Sequence, residues 1–382
     1  MLNRSHYTLA GIYLHIPFCR QACHYCDFHF STQLKYKEEL VNAMVKELTL
    51  QKNYLPRHIS FDTVYFGGGT PSVLTSEELN RIFDALLENY HIRQNAEITL
   101  EANPDDLDRN TLMMLKNAGV NRLSVGIQSF YEDDLRLLNR SHTAEQAKRC
   151  LMEAREIGFD NFNLDLIYGI PKSTVESWLE NIHIALDLKP KHISTYCLTV
   201  EENTVFGRWK NSGRFLEVEE ELAAEQYEIL VDTLKKNGFE HYEVSNFALP
   251  GYHSKHNVQY WHYEPYLGIG PGAHSFNGRK RQFNVLNNHK YIKAINNGDV
   301  PGLSETLSKE DEINERILTG LRTQWGISLT SLQKLGYDLL KSKGKYLEQL
   351  ISEGLADMSN DRLVLSEKGW LLADHISLKL CR

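Results

Sequence analysis

Positive charge is in short supply in this chain. Its 382 residues carry 42 Lys and Arg against 50 Asp and Glu, a formal net charge of −8, so it lacks the electrostatic footprint that holds a nucleic-acid backbone regardless of sequence. Long hydrophobic runs are missing too. No apolar stretch approaches the roughly 20 residues that cross a bilayer, and no apolar core followed by a cleavage site stands at the N-terminus. Neither a signal peptide nor a membrane anchor is expected. The expected compartment is the cytoplasm, with peripheral contact at a membrane surface left open. Cysteine is scarce: of six, three crowd together as Cys19, Cys23 and Cys26, which suits a reducing cytosol better than a disulfide scaffold. The others read blandly, Cys150 on a helical apolar stripe with Ala147, Leu151 and Ala154, Cys197 in an apolar strand, and Cys381 one residue from the end. What remains is an ordinary soluble composition, 42% hydrophobic and 24% charged, long enough for one large core plus an appendage.

Six strand-like runs alternate with amphipathic helical stretches up to about residue 237: 12–16, 63–67, 97–101, 122–128, 161–167 and 192–198. Leu79, Ile82, Phe83, Leu86, Leu87 and Tyr90 form a helical stripe behind a capping box from Thr75 to Glu78. Thr143 with Gln146 and Ser173 with Glu176 are expected to open two further helices, and Gly119 and Gly158 to close helices. Such alternation implies a parallel sheet with right-handed crossovers. Three strands also carry polar residues on one parity: Glu97, Thr99 and Glu101; Ser124 and Gln128; Asn163 and Asp165. Parallel strands buried on both faces are apolar throughout, so here one face packs on helices and the other lines a polar interior. In a barrel-like sheet the site forms at the C-terminal ends of the strands, where Glu101, Gln128 and Asp165 fall. An antiparallel sheet with a wet face is the competing arrangement, and the intervening helices argue against it.

The expected architecture is α/β, a partial (β/α)6 TIM-like barrel over residues 1–237, with an aromatic and His-rich extension over 238–303 and a helical C-terminal domain over 304–382. Glu217, Glu219, Glu220 and Glu221 read as the solvated first turn of a helix. Pro250, Pro265 and Pro271 break any long helix in the extension. Helices are expected at 310–322, 328–341 and 344–353. Two helices followed by a short two-strand wing resemble a winged-helix module. That shape often binds DNA, but fold does not fix function, and the acidic balance favours a structural or docking role.

The cysteines follow the first strand as C-x3-C-x2-C. Three thiolates this close can grip one inorganic group from one side. A structural zinc wants four tetrahedral ligands, and His15, His24, Asp27 or His29 could supply the fourth. A [4Fe-4S] cluster takes one thiolate per iron, so three cysteines leave one iron open. The cysteines alone do not choose, and reactive or buried thiols are a third reading. After the second strand stands Phe66-Gly67-Gly68-Gly69-Thr70-Pro71-Ser72. Its glycines remove every Cβ from the turn, so the backbone can touch a ligand directly. It fits neither glycine-rich phosphate pattern.

Taken together, the cysteine motif with Tyr25 inside it, the Gly-Gly-Gly-Thr-Pro turn and six βα units resemble the radical S-adenosylmethionine superfamily. The resemblance implies a [4Fe-4S] cluster on Cys19, Cys23 and Cys26, whose open iron chelates the amino and carboxylate groups of S-adenosylmethionine. One-electron reduction by a partner reductant then releases a 5′-deoxyadenosyl radical, chemistry that belongs to the cofactor. Within the superfamily, Tyr13-x-His15-Ile16-Pro17-Phe18-Cys19, Glu101-Ala-Asn-Pro104, Gly126-Ile-Gln128-Ser-Phe130, Leu138-Asn139-Arg140 and Asp165-Leu-Ile-Tyr-Gly-Ile-Pro171 are similar to the coproporphyrinogen III dehydrogenase (HemN) and HemW group. On that resemblance Tyr13 would contact S-adenosylmethionine beside the cluster loop, and Tyr25 would lie against its adenine. Gly68, Gly69 and Thr70 would meet the methionyl amino group, and Glu101, Gln128, Arg140 and Asp165 would line the ribose and carboxylate side. Arg140 also reads as a plain helix-surface cation.

Two departures choose the branch. The dehydrogenase carries a further cysteine two residues past the third cluster ligand, where this chain has Phe28, and a substantial N-terminal segment, where this chain has about eleven residues before its first strand. Both count against oxidative decarboxylation of coproporphyrinogen III, which stays as the alternative activity. His256-Asn257-Val-Gln-Tyr260-Trp261 resembles instead the HemW-type heme chaperones, and implies heme binding and transfer to apo-hemoproteins. A neutral His is a reasonable axial iron ligand and aromatics suit a porphyrin face. His256, Asn257, Tyr260 and Trp261 are thus the implied heme contacts, with His253, His262 and His274 as rival ligands and a hydrogen-bonded core histidine as the plain reading of His256.

Overall fold

The computed structural model describes residues 9–215 and 217–382. β1 (Leu9–Ile16), β2 (Ser60–Gly68), β3 (Ile92–Ala102), β4 (Arg122–Gln128), β5 (Phe162–Tyr168) and β6 (His192–Cys197) lie side by side in chain order, each parallel to the next. Between them run α1 (Lys37–Leu50), α2 (Ser76–Asn89), α3 (Arg109–Asn117), α4 (Glu132–Leu137), α5 (Ala144–Ile157) and α6 (Val175–Asp187). This is the partial (β/α)6 barrel that the alternation implies, and its parallel register removes the antiparallel alternative. One parity of the strands, including Ile12, Val64, Leu100, Leu123, Val125 and Leu164, is fully buried in the main core. The other parity supplies Tyr13, Tyr65, Glu101, Ser124, Asn163 and Asp165; across the barrel interior the Tyr65 hydroxyl donates to Glu101, and Asn163 Nδ2 donates to Ser124 and Asp165.

Helix termini follow local chemistry. Thr75 with Glu78 and Thr143 with Gln146 form reciprocal capping boxes, and Gly158 closes α5 in the left-handed region at φ 91°. The box expected at Ser173 is displaced by one residue. Thr174, in extended backbone at φ −115° and ψ 170°, exchanges hydrogen bonds with Ser177. Of two adjacent hydroxyls, the one whose backbone has N-cap geometry takes the cap. α7 (Val205–Asn211) and α8 (Glu220–Lys236) follow; Glu219 is the N-cap of α8, and Glu220 and Glu221 lie in its first turn.

Beyond α8 the chain widens the same sheet at both edges, to twelve strands. β7 (Glu240–Glu243) and β8 (Asn246–Ala248) add antiparallel beyond β6. β9 (Tyr266–Ile269) pairs parallel with β1 and carries β10 (His274–Phe276), β11 (Lys280–Asn284) and β12 (Gly302–Thr306) outward. α9 (Lys255–Trp261) joins the two edges, and α10 (Asn288–Asn296) packs on α1. Glu47 of α1, 0% exposed, anchors this extension. Its carboxylate accepts from the Gly270 N–H at 2.8 Å, Asn284 Nδ2 at 2.7 Å and the Tyr291 hydroxyl at 2.5 Å.

A second core, around Ile313, Ile317, Leu347, Leu363 and Ile376, gathers the C-terminal residues. It comprises α11 (Lys309–Gly320), α12 (Leu329–Lys334), α13 (Leu339–Ser352), α14 (Glu367–Trp370) and α15 (Ala373–Leu380), with a small sheet of β13 (Ile327–Ser328), β14 (Ala356–Ser359) and β15 (Arg362–Leu365). The break expected near residue 342 survives only as a kink at Lys343 (φ −129°) inside α13. The true interruption follows α12, where Gly336 takes φ 92°. Among the described residues no helix is long and apolar enough to cross a membrane.

Candidate functional site

The loop after β1 is held at its base by backbone bonds, Ser31 N–H to Pro17 O at 2.8 Å and Cys19 N–H to Ser31 O at 3.1 Å. Its tip is held by Leu137, Leu138 and Asn139: His24 N–H bonds to Leu138 O at 3.1 Å, His24 Nδ1 lies 2.9 Å from Leu137 O, and Asn139 Nδ2 donates to Ala22 O at 2.7 Å. Asn139 sits at φ 57°, a region that Asn tolerates well. This grip presents Cys19, Cys23 and Cys26, all free thiols, to one cavity of about 640 Å³ at the C-terminal ends of the strands. Tyr25, Gly68, Gly69, Thr70, Glu101, Gln128, Arg140 and Asp165 line the same cavity. The structure therefore brings together every residue expected around the cluster and its cofactor except Tyr13.

Arg140 is no surface cation. One guanidinium nitrogen lies 3.2 Å from Cys23 Sγ, and the other donates to Asn103 Oδ1 at 2.6 Å and Gly126 O at 2.7 Å. Its Nε is buried without an acceptor among the described residues. From Asn103 the chain of contacts runs on, Nδ2 to Thr70 Oγ1 at 3.2 Å and Thr70 Oγ1 to Cys19 Sγ at 3.5 Å. The loops after β1, β2, β3 and β4 are so tied into one wall. Asn103 and Asn139 are missing from the residues expected at the site, although both stand inside quoted motifs, Glu101-Ala-Asn-Pro104 and Leu138-Asn139-Arg140. The signal for both is a polar amide inside a motif at the end of a strand or helix.

The glycine turn is shaped by crowding. A Cβ on Gly69 would fall 2.7 Å from Phe18 O, and one on Gly68, at φ 109°, 2.5 Å from His15 Nδ1. The Gly68 N–H donates to Glu101 Oε2 at 3.2 Å, and the Tyr65 hydroxyl to Glu101 Oε1 at 2.8 Å. Burial pushes the Glu101 carboxyl up to about 7, against the pull of the Tyr65 bond, and the Asp165 carboxyl up to about 6. Burial also raises the Cys26 thiol to about 11. Two carboxyls poised near neutrality inside a closed interior are suited to receive hydrogen-bond donors such as ribose hydroxyls.

Among the described residues no three His, Cys, Asp or Glu side chains converge on the position of a single ion. The three thiols lie along one wall beside a guanidinium. An iron–sulfur cluster takes one thiolate per iron and carries negative charge, so this donor set fits it, and the buried Nε–H of Arg140 is a donor left over for an anionic group.

Tyr13 does not reach that cavity. It pairs in register with Tyr65, short of the end of β1 at Ile16, so its ring stacks on Tyr65 with centroids 6.1 Å apart and its hydroxyl lies 3.1 Å from His15 Nδ1. It faces instead a second cavity of about 650 Å³ between the extension and α11.

The H-N-x-x-Y-W segment forms α9, which plugs the N-terminal end of the barrel. Glu97 caps it, accepting from the backbone N–H groups of Lys255 and His256, both at 3.3 Å. Gly11 leaves room for it, since a Cβ there would lie 2.6 Å from Gln259 Oε1. His256 is 2% exposed, with Nδ1 2.7 Å from Thr63 Oγ1 and Nε2 2.9 Å from the Tyr260 hydroxyl. Thr63 donates its own proton to Gln259 Oε1 at 3.0 Å, so the consistent arrangement has His256 donate from Nδ1 and accept at Nε2. No lone pair is left facing a ligand, and the core-histidine reading describes its position. Asn257 faces a polar chamber of about 50 Å³ beneath Glu101 and Asp165, Tyr260 lines the second cavity, and the Trp261 indole N–H is buried without a partner among the described residues. Of the rival histidines, His253 pairs with Glu240 at 2.7 Å, His262 packs on Trp325, and His274 lines the second cavity.

Residues 13–185 match the Radical SAM superfamily, and residues 307–372 the HemN C-terminal domain. The chain is 37% identical over 376 residues to the heme chaperone HemW of Bacillus subtilis, covering 96% of this chain and 98% of that one. It is 35% identical to the heme chaperone HemW of Lactococcus lactis, covering 95% of each. Among solved structures, the coproporphyrinogen III oxidase HemN of Escherichia coli superposes with a TM-score of 0.84 over 98% of this chain and 90% of that one, at 23% identity, a likeness of fold.

Proposed function

The chain belongs to the HemW family within the radical S-adenosylmethionine superfamily, and from that premise we propose that it is a heme chaperone, binding heme and passing it to apo-hemoproteins. The observation that carries this reading is near-full-length kinship with proteins named for that role. Phe28, in place of the dehydrogenase's extra cysteine, agrees with it.

Superfamily membership implies a [4Fe-4S] cluster and S-adenosylmethionine, which together supply one-electron cleavage of a sulfonium. The chain's own residues would serve that pair as follows. Cys19, Cys23 and Cys26 each give one thiolate to one iron, and Arg140 lays its positive charge against Cys23. Gly68, Gly69 and Thr70 offer bare backbone to the methionyl end. Glu101 and Asp165 accept from hydroxyls, Gln128 lines the same face, and Tyr25 covers an aromatic ring. A reductant, apo-hemoproteins and a cytoplasmic setting belong to the same proposal.

The deciding experiment loads the anaerobically reconstituted protein with hemin, adds an apo-hemoprotein, and follows the Soret band of the acceptor. A parallel sample receives coproporphyrinogen III. Heme transfer without protoporphyrinogen is the expected result; protoporphyrinogen formation without transfer overturns the chaperone reading in favour of the oxidase.

A further inference from the structure

We propose that the second cavity is the seat of the tetrapyrrole cargo, with His274 giving the axial nitrogen to the heme iron. This rests on the heme-chaperone reading and says where that function is housed.

The cavity, about 650 Å³, lies within the range of about 300–1,000 Å³ typical of small-molecule sites. One side is a continuous aromatic wall: Tyr260 meets Tyr266 with centroids 4.6 Å apart, Tyr266 meets Phe276 at 6.1 Å, and Tyr263 meets Phe276 at 4.7 Å. Such a wall suits a flat macrocycle. The mouth carries two large apolar side chains held out in solvent, Phe28 at 74% exposure and Leu286 at 67%. Covering them removes apolar surface from water, which burial of a porphyrin edge would do.

Three imidazoles line the cavity, and they differ in what they have left to give. His15 commits both nitrogens, Nδ1 to the Tyr13 hydroxyl at 3.1 Å and Nε2 to His29 O at 2.9 Å. His29 commits Nε2 to Asn288 Oδ1 at 2.8 Å and stacks on His15. His274, on β10, has no hydrogen-bond partner for either nitrogen among the described residues; its ring rests on Phe283 at 5.6 Å. His274 is exposed to the opening of the cavity, and desolvation by its neighbours together with the nearby Arg281 charge lowers its basicity against the pull of Glu305, which favours the neutral ligand that iron requires. Arg281, on the next strand, is paired bidentate with Glu315 at 2.6 and 3.0 Å, and its Nε–H is buried without an acceptor among the described residues. A propionate reaching along that wall would meet this donor.

The test titrates hemin into the full chain and into His274→Ala, His29→Ala and His256→Ala, reading the Soret band and the ferric EPR spin state. His274→Ala is expected to bind at least about tenfold more weakly, a loss of roughly 1.4 kcal/mol, with a changed spin state that millimolar imidazole restores. His29→Ala and His256→Ala should keep the wild-type ligand signature, the latter even where its melting temperature falls. Unchanged hemin binding and spectrum in His274→Ala overturn the assignment and leave the chaperone reading standing. A wild-type chain that binds no hemin overturns both.

Discussion

The two cavities enclose nearly the same space, about 640 and 650 Å³, and share Asp27 and Phe28 in their walls, yet they are built in opposite ways. The first is made by loops that leave neighbouring parallel strands, and each loop bonds to the next through Arg140, Asn103 and Thr70. The second is a gap between pieces far apart in the chain: the end of β1 and its loop, the β9–β11 extension, and α11 of the C-terminal module. In the first, polar atoms hold the wall together. In the second, aromatic rings face an opening, and the polar anchor lies behind them at Glu47. A site built from adjacent strand ends inherits the rigidity of the sheet, whereas one built between layers is only as firm as what fastens the layers.

The largest expected effect breaks the comparison at that fastening. Glu47→Leu leaves the Gly270 N–H, Asn284 Nδ2 and the Tyr291 hydroxyl buried without their acceptor. Each orphaned group costs about 1–3 kcal/mol, so a stability loss of about 3 kcal/mol or more is expected in urea unfolding. Hemin binding should weaken, because β9 to β11 carry the wall of the second cavity. Iron and sulfide retained after reconstitution should hold, because no bond of the first cavity passes through Glu47. Equal losses in both would show that the cavities are one mechanical unit.

A smaller effect sharpens the contrast from the other side. Glu101 holds its proton to about pH 7 in the folded chain, against an ordinary carboxyl value of 4.5. As pH rises through that window the unfolded chain has already lost a proton that the folded chain keeps, so stability falls, and the loss is complete above about pH 7. Glu101→Gln, a mimic of the protonated carboxyl, should match wild type near pH 4.5 and exceed it above pH 7, by an amount of the order of 2 kcal/mol. S-adenosylmethionine binding should fall, since the charged acceptor is gone. The strain resides in the first cavity alone, so hemin binding should not change with it. A variant less stable than wild type at pH 8 would show that the carboxylate is satisfied by partners in the resting chain.

The same difference in construction explains what could be read beforehand. Loops leaving parallel strands carry their chemistry in short contiguous patterns, so the cysteine loop, the glycine turn and the carboxylates at strand ends are visible one motif at a time. The polar parity of β3, β4 and β5 is equally local. The second cavity has no such pattern. Its lining comes from about residues 13–29, 260–286 and 315–319, and an aromatic-rich stretch says nothing of which rings face one another. The H-N-x-x-Y-W segment shows the cost of reading a motif without its surroundings. Nothing near His256 in the chain reveals that Gly11 and Thr63, on β1 and β2, leave a slot that its helix fills. Tyr13 lines the second cavity and not the first for a related reason, because proximity to the cysteines along the chain is not height along the strand. Strand β9 also depends on long-range pairing, with its parallel register beside β1 spanning more than half the chain.

The smallest expected effect on stability bears most directly on whether the two cavities communicate. Phe28 is 74% exposed and lines both, so its ring touches the occupant of either while contributing little to the core. Phe28→Ala should leave the urea midpoint within about 0.5 kcal/mol of wild type, as surface substitutions do. If the ring adopts a different position for each occupant, S-adenosylmethionine must alter the hemin affinity of the cluster-loaded chain, and hemin must alter S-adenosylmethionine affinity by the same factor, because coupling between binding sites is reciprocal. A factor of about five or more is expected in wild type, within the usual range of such couplings, and a factor near one in Phe28→Ala. The measurement is four dissociation constants, hemin with and without S-adenosylmethionine in each protein, under anaerobic conditions. Coupling that survives in the variant would place the communication elsewhere, through the Tyr13–His15 contact that runs behind Gly67 and Gly68. Absence of coupling in wild type would make the cavities independent sites that happen to share a wall.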